Sequence, residues 1–391
     1  MVSLSSAEKA LKTLYLGVVS DQLNTGVNPF LAKIQNTSSD VWGKEIIKLA
    51  PYGLNGGVGA GTETGSLPTS GENNYAQFKL TLKNLYGSIE ISDKAMRASE
   101  NSSGAFVNLL NSEMEGLLKA SKFNFGRMLF GDGTGKLANC VTIEDATDFT
   151  VIQVDSLKNI MEGMTIDAFI TATSASVFSG KRIISIDRAN STIKVSGVQA
   201  TAVGTGNHIT VQGSAGLELT GLGAIFGSGD LYGLSRTTYN WLNPYSKNLA
   251  ATISTSAIQT AIDYVDEVAG GTVDFILSSY DVKRKYLDYV ALNRTNIDYM
   301  NLDGGFKALS YNGIPFVSDR FVADGSMYML NSSDFKLHQL CDWRWLEGDA
   351  GRIIRQKTGY ATYSATLVKY ADLICDRPIG QAKITNITVA S

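Results

Sequence analysis

The sequence is short of four things, and each shortage excludes something. It has 3 cysteines, Cys140, Cys341 and Cys375. They form no even framework and no C-x-x-C pair, so the pattern is that of free thiols in a reducing compartment, not of a stapled secreted fold. It has 2 histidines, His208 and His338, too few for a histidine metal centre. Charged residues make up only 18% and the net charge is −3, so no basic surface for strong nucleic-acid binding is expected. No apolar run approaches the ~18 residues of a membrane helix. Residues 1–10 also lack the basic start and apolar core of a signal peptide.

What is present is length and glycine. At 391 residues the chain exceeds the ~250–300 residues at which a single core stops growing, so two or more modules are expected. Glycine numbers 39 against 6 prolines, and 44% of residues are hydrophobic. Low charge with much Gly, Ser, Thr and Asn fits a surface covered by neighbouring chains, and equally a β-rich extracellular protein.

The strongest local signal is residues 103–130. They read as one helix of about 28 residues, roughly 42 Å long. Phe106, Val107, Leu110, Met114, Leu117, Leu118, Phe125, Met128 and Leu129 fall in a stripe about 140° wide, interrupted by Ser121. Glu115 and Lys119 form a well-oriented i,i+4 pair, and Gly131 supplies the stop. The back of the helix is not cleanly polar, since it carries Leu109, Gly116, Ala120, Phe123 and Phe130. Two readings stand: an ordinary core helix, or one with contacts on more than one side.

Around this helix the chain divides by texture. Residues 1–45 read as an arm, with a possible helix at 6–19 and apolar residues Val27, Phe30, Leu31 and Ile34 suited to docking. Strand-like runs at 41–50 and 75–92 flank a loop with glycines at 53, 56, 57, 59, 61, 65 and 71. An isolated two-stranded hairpin is marginal in water, so this one should lie on another surface, expected to be another subunit. No G-x-x-x-x-G-K-[ST] is present, and a phosphate cradle is disfavoured. A short helical turn is expected at 93–98. GDGTGKLA, 131–138, reads as a helix-ending turn. From 140 to 216 only strands are evident, at 149–154, 164–171, 181–187, 192–196 and 208–212, which reads as an inserted all-β module. From 217 the texture is α/β. Ser256 to Gln259 reads as a capping box for a helix to Ala269, with Gly270 as its stop. A strand at 272–277, a helix at 280–292 and strands at 316–317, 327–330, 352–356, 362–373 and 381–389 follow.

No catalytic set emerges. Asp263, Asp266 and Glu267 read as the solvated face of one helix. Cys341 and His338 lie three residues apart with no third group to orient them. Trp343-Arg344-Trp345 reads as a strand with one buried and one interfacial tryptophan, or as a stacking platform for nucleic acid. No enzyme activity, metal or cofactor is expected.

The order of segments resembles a known family. NLYGSIEISDKAMRAS (84–99), the long helix with LFGDGTGKLA (129–138), YNGIPFVSDRFVADGSMYMLNSSDFKL (311–337) and YSATLVKYADLICDRPIGQAKI (363–384) together resemble the major capsid proteins of tailed bacteriophages with the Hong Kong 97 (HK97-like) α+β fold. The resemblance covers nearly everything except 140–216. It implies an N-terminal arm (1–45), an extended loop reaching over a neighbour (46–85) and a peripheral domain (86–139) with the long helix as its spine. It further implies an axial domain (217–340), a return to the peripheral domain (341–376) and a last strand in the axial domain (377–391). It implies a shell of hexamers and pentamers around double-stranded DNA that is held weakly, assembled in the bacterial host cytoplasm. A portal, a separate scaffolding protein (inferred from the arm's start near Met1) and a decoration protein are its expected partners, with no membrane. Lys79 or Lys83 would be the lysine of the covalent crosslink found in some members. The inferred assembly contacts are Leu109, Gly116, Ala120 and Phe123 on the helix, Gly56, Gly57, Gly59 and Gly61 on the loop, and Phe30 and Leu31 on the arm. An encapsulin-type compartment shell shares the fold. A nucleotide-binding enzyme on 217–391 would need a glycine-rich strand-to-helix turn, whereas Gly270-Gly271 runs helix to strand. A secreted adhesin would need a signal peptide.

Overall fold

The fold is that of a computed structural model, which describes residues 28–38, 41, 45–94, 103–145, 148–170, 176–198, 206–292, 299–301, 307–348 and 353–388. Over 103–112, 145, 299–301 and 307–308 only the backbone course is described. The expected helix at 6–19 and most of the expected turn at 93–98 lie outside these residues.

The described chain begins with a short helix, α1 (Pro29–Lys33), capped by Asn28, whose side chain accepts from the Phe30 and Leu31 amides. Strand β1 (Gln35–Thr37) follows, then the hairpin strands β2 (Ile46–Tyr52) and β3 (Asn74–Leu80). The run expected at 75–92 is broken at residues 81–82: β3 stays in the hairpin, while β4 (Lys83–Ser92) joins a different sheet. The inward positions shift from even (Ala76, Phe78, Leu80) to odd (Leu85, Ile89) across the break, a change of phase that marks it in the pattern.

Helix α2 (Ser103–Met128) ends two residues before the expected limit. The described part of its stripe, from Met114 onward, packs on a five-stranded sheet. That sheet is built on β17 (Phe335–Trp345) and the 14-residue β19 (Thr362–Cys375), with β1, β4 and β18 (Arg355–Gln356) alongside. Met114, Leu118, Phe125 and Met128 are buried. Phe125 meets Trp343 edge-on with centroids 6.3 Å apart, and Lys369 of β19 lies over the Phe125 ring. At Gly87 of β4 a Cβ would sit 2.9 Å from a Leu117 methyl, so a side chain here would push Leu117 aside. Trp343 and Trp345 are both buried and Arg344 is exposed. The expected interfacial tryptophan is therefore a core residue.

Between α2 and the axial region six strands close a barrel. These are β5 (Lys136–Asp145), β6 (Phe149–Val154), β7 (Thr165–Phe169), β8 (Ser176–Asp187), β9 (Thr192–Ser196) and β10 (His208–Val211). Closure leaves no sheet edge among the described residues of the module. Its core, with Ile152, Ile166, Ile183, Ile193, Val195 and Ile209, is a separate apolar cluster.

The axial sheet has seven strands. In spatial order they are β11 (Tyr245–Ala251), β20 (Ala382–Ile387), β16 (Met327–Leu330), β12 (Phe275–Ser278), β15 (Ile314–Ser318), β14 (Lys307–Tyr311) and β13 (Tyr299–Asn301). After a one-turn helix, α3 (Leu222–Ile225), come α4 (Thr255–Ala269) and α5 (Tyr280–Leu292), against which one face of the sheet carries Ile276, Phe316, Met327 and Met329, with Tyr286 stacked on Phe316 at 5.0 Å. Gly270 stops α4 in the left-handed region, φ 57°, as read. The cap is Ser254, whose hydroxyl accepts from Ala257 N–H, not the expected Ser256. Gln259, the other half of the expected box, instead donates to Asp263 and accepts from Tyr311.

The other face of the axial sheet presents Phe275, Leu277, Tyr328 and Leu330 to the cluster that also holds Met128, Leu337 and Leu373. This double burial explains why β12 and β16 are buried at every position. The peripheral and axial sheets thus share one core.

Candidate functional site, an assembly surface

The hairpin β2–β3 has two faces with different fates. Ile46, Ala50, Ala76, Phe78 and Leu80 are buried on their own chain. Phe78 packs on Tyr232 (5.1 Å) and Trp241 (5.8 Å), and Tyr52 stacks on Trp241 at 5.5 Å. The Lys79 amide donates to the Tyr232 carbonyl at 2.9 Å, and Lys48 Nζ reaches both oxygens of Asp376 at 2.6 and 2.7 Å. Tyr232 in turn locks onto the end of β19: its hydroxyl accepts from the Cys375 amide and donates to the Leu373 carbonyl. The root of the hairpin is therefore clamped to its own subunit, contrary to the expectation that the hairpin rests wholly on another.

The outer face and tip are not covered. Ile47, Leu49 and Tyr75 are more than half exposed, and Leu54, Val58 and Leu67 at the tip are 92%, 89% and 90% exposed. Tip residues 53–73 form no strand. Asn55 ties their neck, its amide donating to Gly71 O and Asn73 Oδ1 and its carbonyl accepting from Gly57 N–H. A Cβ on Gly57 would lie 2.8 Å from Gly71 N, so the two segments close only as glycines. Around Gly56 there is open space, while Gly59 lies against Pro68 and Gly61 meets only Ser66 at 3.8 Å. Among the described residues nothing offsets the exposure of these apolar side chains on a glycine-rich tip.

The spine helix offers a second open strip. Glu113, Gly116 and Ala120 are exposed, and a Cβ on Gly116 meets nothing within 4 Å. Beside the strip a cavity of about 540 Å³ opens between α2, β4 and the end of the barrel. Leu82, Leu117, Met128, Leu217, Asn124 and Trp343 line it. Asn124 Oδ1 and Trp343 Nε1 are buried there with no hydrogen-bond partner among the described residues.

Three expected contact residues are placed elsewhere. Phe30 is fully buried in its own chain, 5.3 Å from Phe335 and 6.0 Å from Phe130, and Leu31 is buried beside it. Phe123 is buried against Phe321 at 5.4 Å, under Arg320. All three are core residues, because residues 28–38 fold back onto their own subunit and the loop around Phe321 covers that flank of the helix. The side chain of Leu109 lies outside the described residues.

Sequence reading missed the neck of the barrel. Arg127 and Glu218, 91 positions apart, form a buried two-pronged ion pair at 2.8 and 2.6 Å. Leu222 N–H donates to Leu129 O, and Gly216 N–H to Thr134 O. At Gly221 a Cβ would fall 2.4 Å from Met128 O. The Asp372 carboxylate takes the Thr220 amide at 2.7 Å and the Thr220 hydroxyl at 3.0 Å. Burial pushes Asp372 up to about 6, against the pull of these bonds. Nothing in local spacing signals a pair so distant.

The remaining reactive groups are quiet. Burial pushes the Cys140 thiol up to about 12 and Cys375 well above the usual thiol range, so both stay protonated at neutral pH. Among the described residues no cluster of three or more His, Cys, Asp or Glu could hold a metal ion. No helix among them is long and apolar enough to cross a membrane.

The long helix, the clamped hairpin and the two sheets with their shared core have the architecture of the HK97-like fold. The capsid asymmetric unit of cyanophage A-1(L) superposes with a TM-score of 0.56 over 93% of both chains at 13% identity. The holo encapsulin complex of Synechococcus elongatus gives 0.49 over 96% of both chains at 9% identity. The capsid of Myoviridae phage XM1 gives 0.46 over 92% of both chains at 10%. No family model and no curated protein sequence matches the chain. At such identities the likeness is one of fold.

Proposed function

We propose that this protein is the major capsid protein of a tailed phage, a structural subunit that tiles an icosahedral shell of hexamers and pentamers around double-stranded DNA. The observation that carries the proposal is the hairpin: its root is fixed to one subunit while Leu54, Val58 and Leu67 project without cover from any of the described residues. In this reading the tip lies over a neighbour, on the strip of Gly116 and Ala120 and beside the cavity at Asn124. Each apolar side chain so covered contributes roughly 1.5–3 kcal/mol. The net charge of −3 suits a shell that encloses DNA without gripping it. A scaffolding protein, a portal and a decoration protein would complete the assembly, and the subunit's role is mechanical, not enzymatic.

The test is negative-stain microscopy with sedimentation on protein coexpressed with its neighbouring genes. Closed shells, or free hexamers and pentamers, are expected. A stable monomer under those conditions refutes the proposal.

A further inference from the structure

We infer that the loop from Asp319 to Gly325 couples three parts of the subunit, the barrel, the spine helix and the axial sheet, and that Lys158 of the barrel is its releasable latch. The inference does not rest on the shell role.

The loop touches each part through a different kind of contact. To the axial sheet and the first turn of α5 it is hydrogen-bonded: Asp319 N–H donates to Ser278 O at 3.0 Å and Ile387 N–H to Gly325 O at 2.9 Å, while Gly325 N–H donates to Asp281 Oδ2 of α5 at 2.8 Å. To the spine helix it is packed. Phe321 fills the space beside Phe123 and Phe130, and a Cβ on Gly126 would fall 2.7 Å from its ring. Val322, the next residue, is fully buried in the shared core. To the barrel it is joined by charge: Lys158 Nζ donates to Val322 O and, at 2.6 Å, to Asp324 Oδ1.

These contacts differ in strength in a useful way. The neck holds the barrel at one place, with the buried Arg127–Glu218 pair and close glycine packing. A body held at one place still tilts about it, and a second contact removes the tilt. Lys158, on the loop between β6 and β7, supplies that second contact. Its carboxylate partner Asp324 is 76% exposed, so solvent screens the pair and it breaks readily. The Val322 carbonyl leads directly into the buried Phe321–Val322 pair, so release of Lys158 is felt where the loop meets the helix. Coupling between two such places is reciprocal, and this supplies the test.

Hydrogen–deuterium exchange on the full chain reads both directions. Lys158→Met keeps the side-chain stem and removes the charge. It should raise exchange by roughly fivefold at 319–325 and at 120–128 of the spine, with the barrel strands unchanged. Phe321→Ala should raise exchange at 155–164 of the barrel by a similar factor. Asp324→Asn, which keeps the shape of the latch partner and removes its charge, should raise exchange at 120–128 in the same direction. The inference is overturned if Lys158→Met affects 155–164 alone, if Phe321→Ala leaves 155–164 unchanged, or if Asp324→Asn leaves 120–128 unchanged.

Discussion

The Arg127–Glu218 pair gives the sharpest energetic prediction. Both side chains are almost wholly buried, at 4% and 3% exposure, and they meet through two short hydrogen bonds. Arg127→Met removes one charge and leaves a carboxylate in the interior. Breaking a buried pair in this way costs about 3–5 kcal/mol, whereas replacing both partners with apolar residues of similar size is often neutral or better. The double variant Arg127→Met, Glu218→Leu should therefore recover most of what the single variant loses. Urea unfolding of the unassembled subunit, followed by circular dichroism, measures this. At a slope of up to ~3 kcal/mol/M the single variant should lower the midpoint by about 1 M or more. A single-variant loss below about 1 kcal/mol, or a double variant no more stable than the single, would show that the pair does not hold the neck.

Other outcomes follow from the same contacts. Burial pushes Asp319 up to about 6 from 3.8, so the folded state holds its proton more tightly than the unfolded chain. Its stability is full below about 3.8 and falls by up to about 3 kcal/mol as pH rises through 6; Asp319→Asn should flatten that slope in thermal melts between pH 4 and 8. Replacing Leu54, Val58 and Leu67 together with serine should leave the subunit's melting temperature unchanged and abolish particles in sedimentation; a large melting shift would place the tip in the subunit's own core. Gly116→Phe should likewise impair particle yield more than subunit stability, and equal loss of both would make the strip an ordinary packing surface. Excising 136–213 and joining Gly135 to Ser214, where a Cβ on Gly135 would already lie 2.7 Å from Ser214 O, should give a folded subunit whose urea midpoint is little changed; failure to fold would show the barrel to be part of the main core.

Much of the fold was legible because it is written in local periods. Helix α2 and the barrel strands β6 and β9 coincide with the expected segments within two residues, since a buried stripe or a strict alternation marks the element itself. Partners are another matter. The alternation changes phase between Leu82 and Leu85, yet that shift does not say that β3 and β4 enter different sheets. Phe30 and Leu31 carry the same apolar signal whether they dock on their own chain or on a neighbour. The Arg127–Glu218 and Lys158–Asp324 pairs join positions far apart in the chain, which composition and spacing do not encode. The exposed tip was half legible: the glycines stood out, whereas Leu54, Val58 and Leu67 among them passed as unremarkable loop residues.

The core shared by the two sheets sets where such a subunit can bend. With Phe275, Leu277, Tyr328 and Leu330 of one sheet interlocked with Leu337 and Leu373 of the other, any change of angle between the sheets would open voids in close-packed interior. The body therefore behaves as a stiff plate. In the proposed shell, identical plates would need several different dihedral angles between them. That compliance has to come from parts outside the plate, chiefly the hairpin beyond its clamp at Lys48 and Tyr232. Stiffening the tip would narrow the range of curvatures the plates can adopt while each plate stays intact.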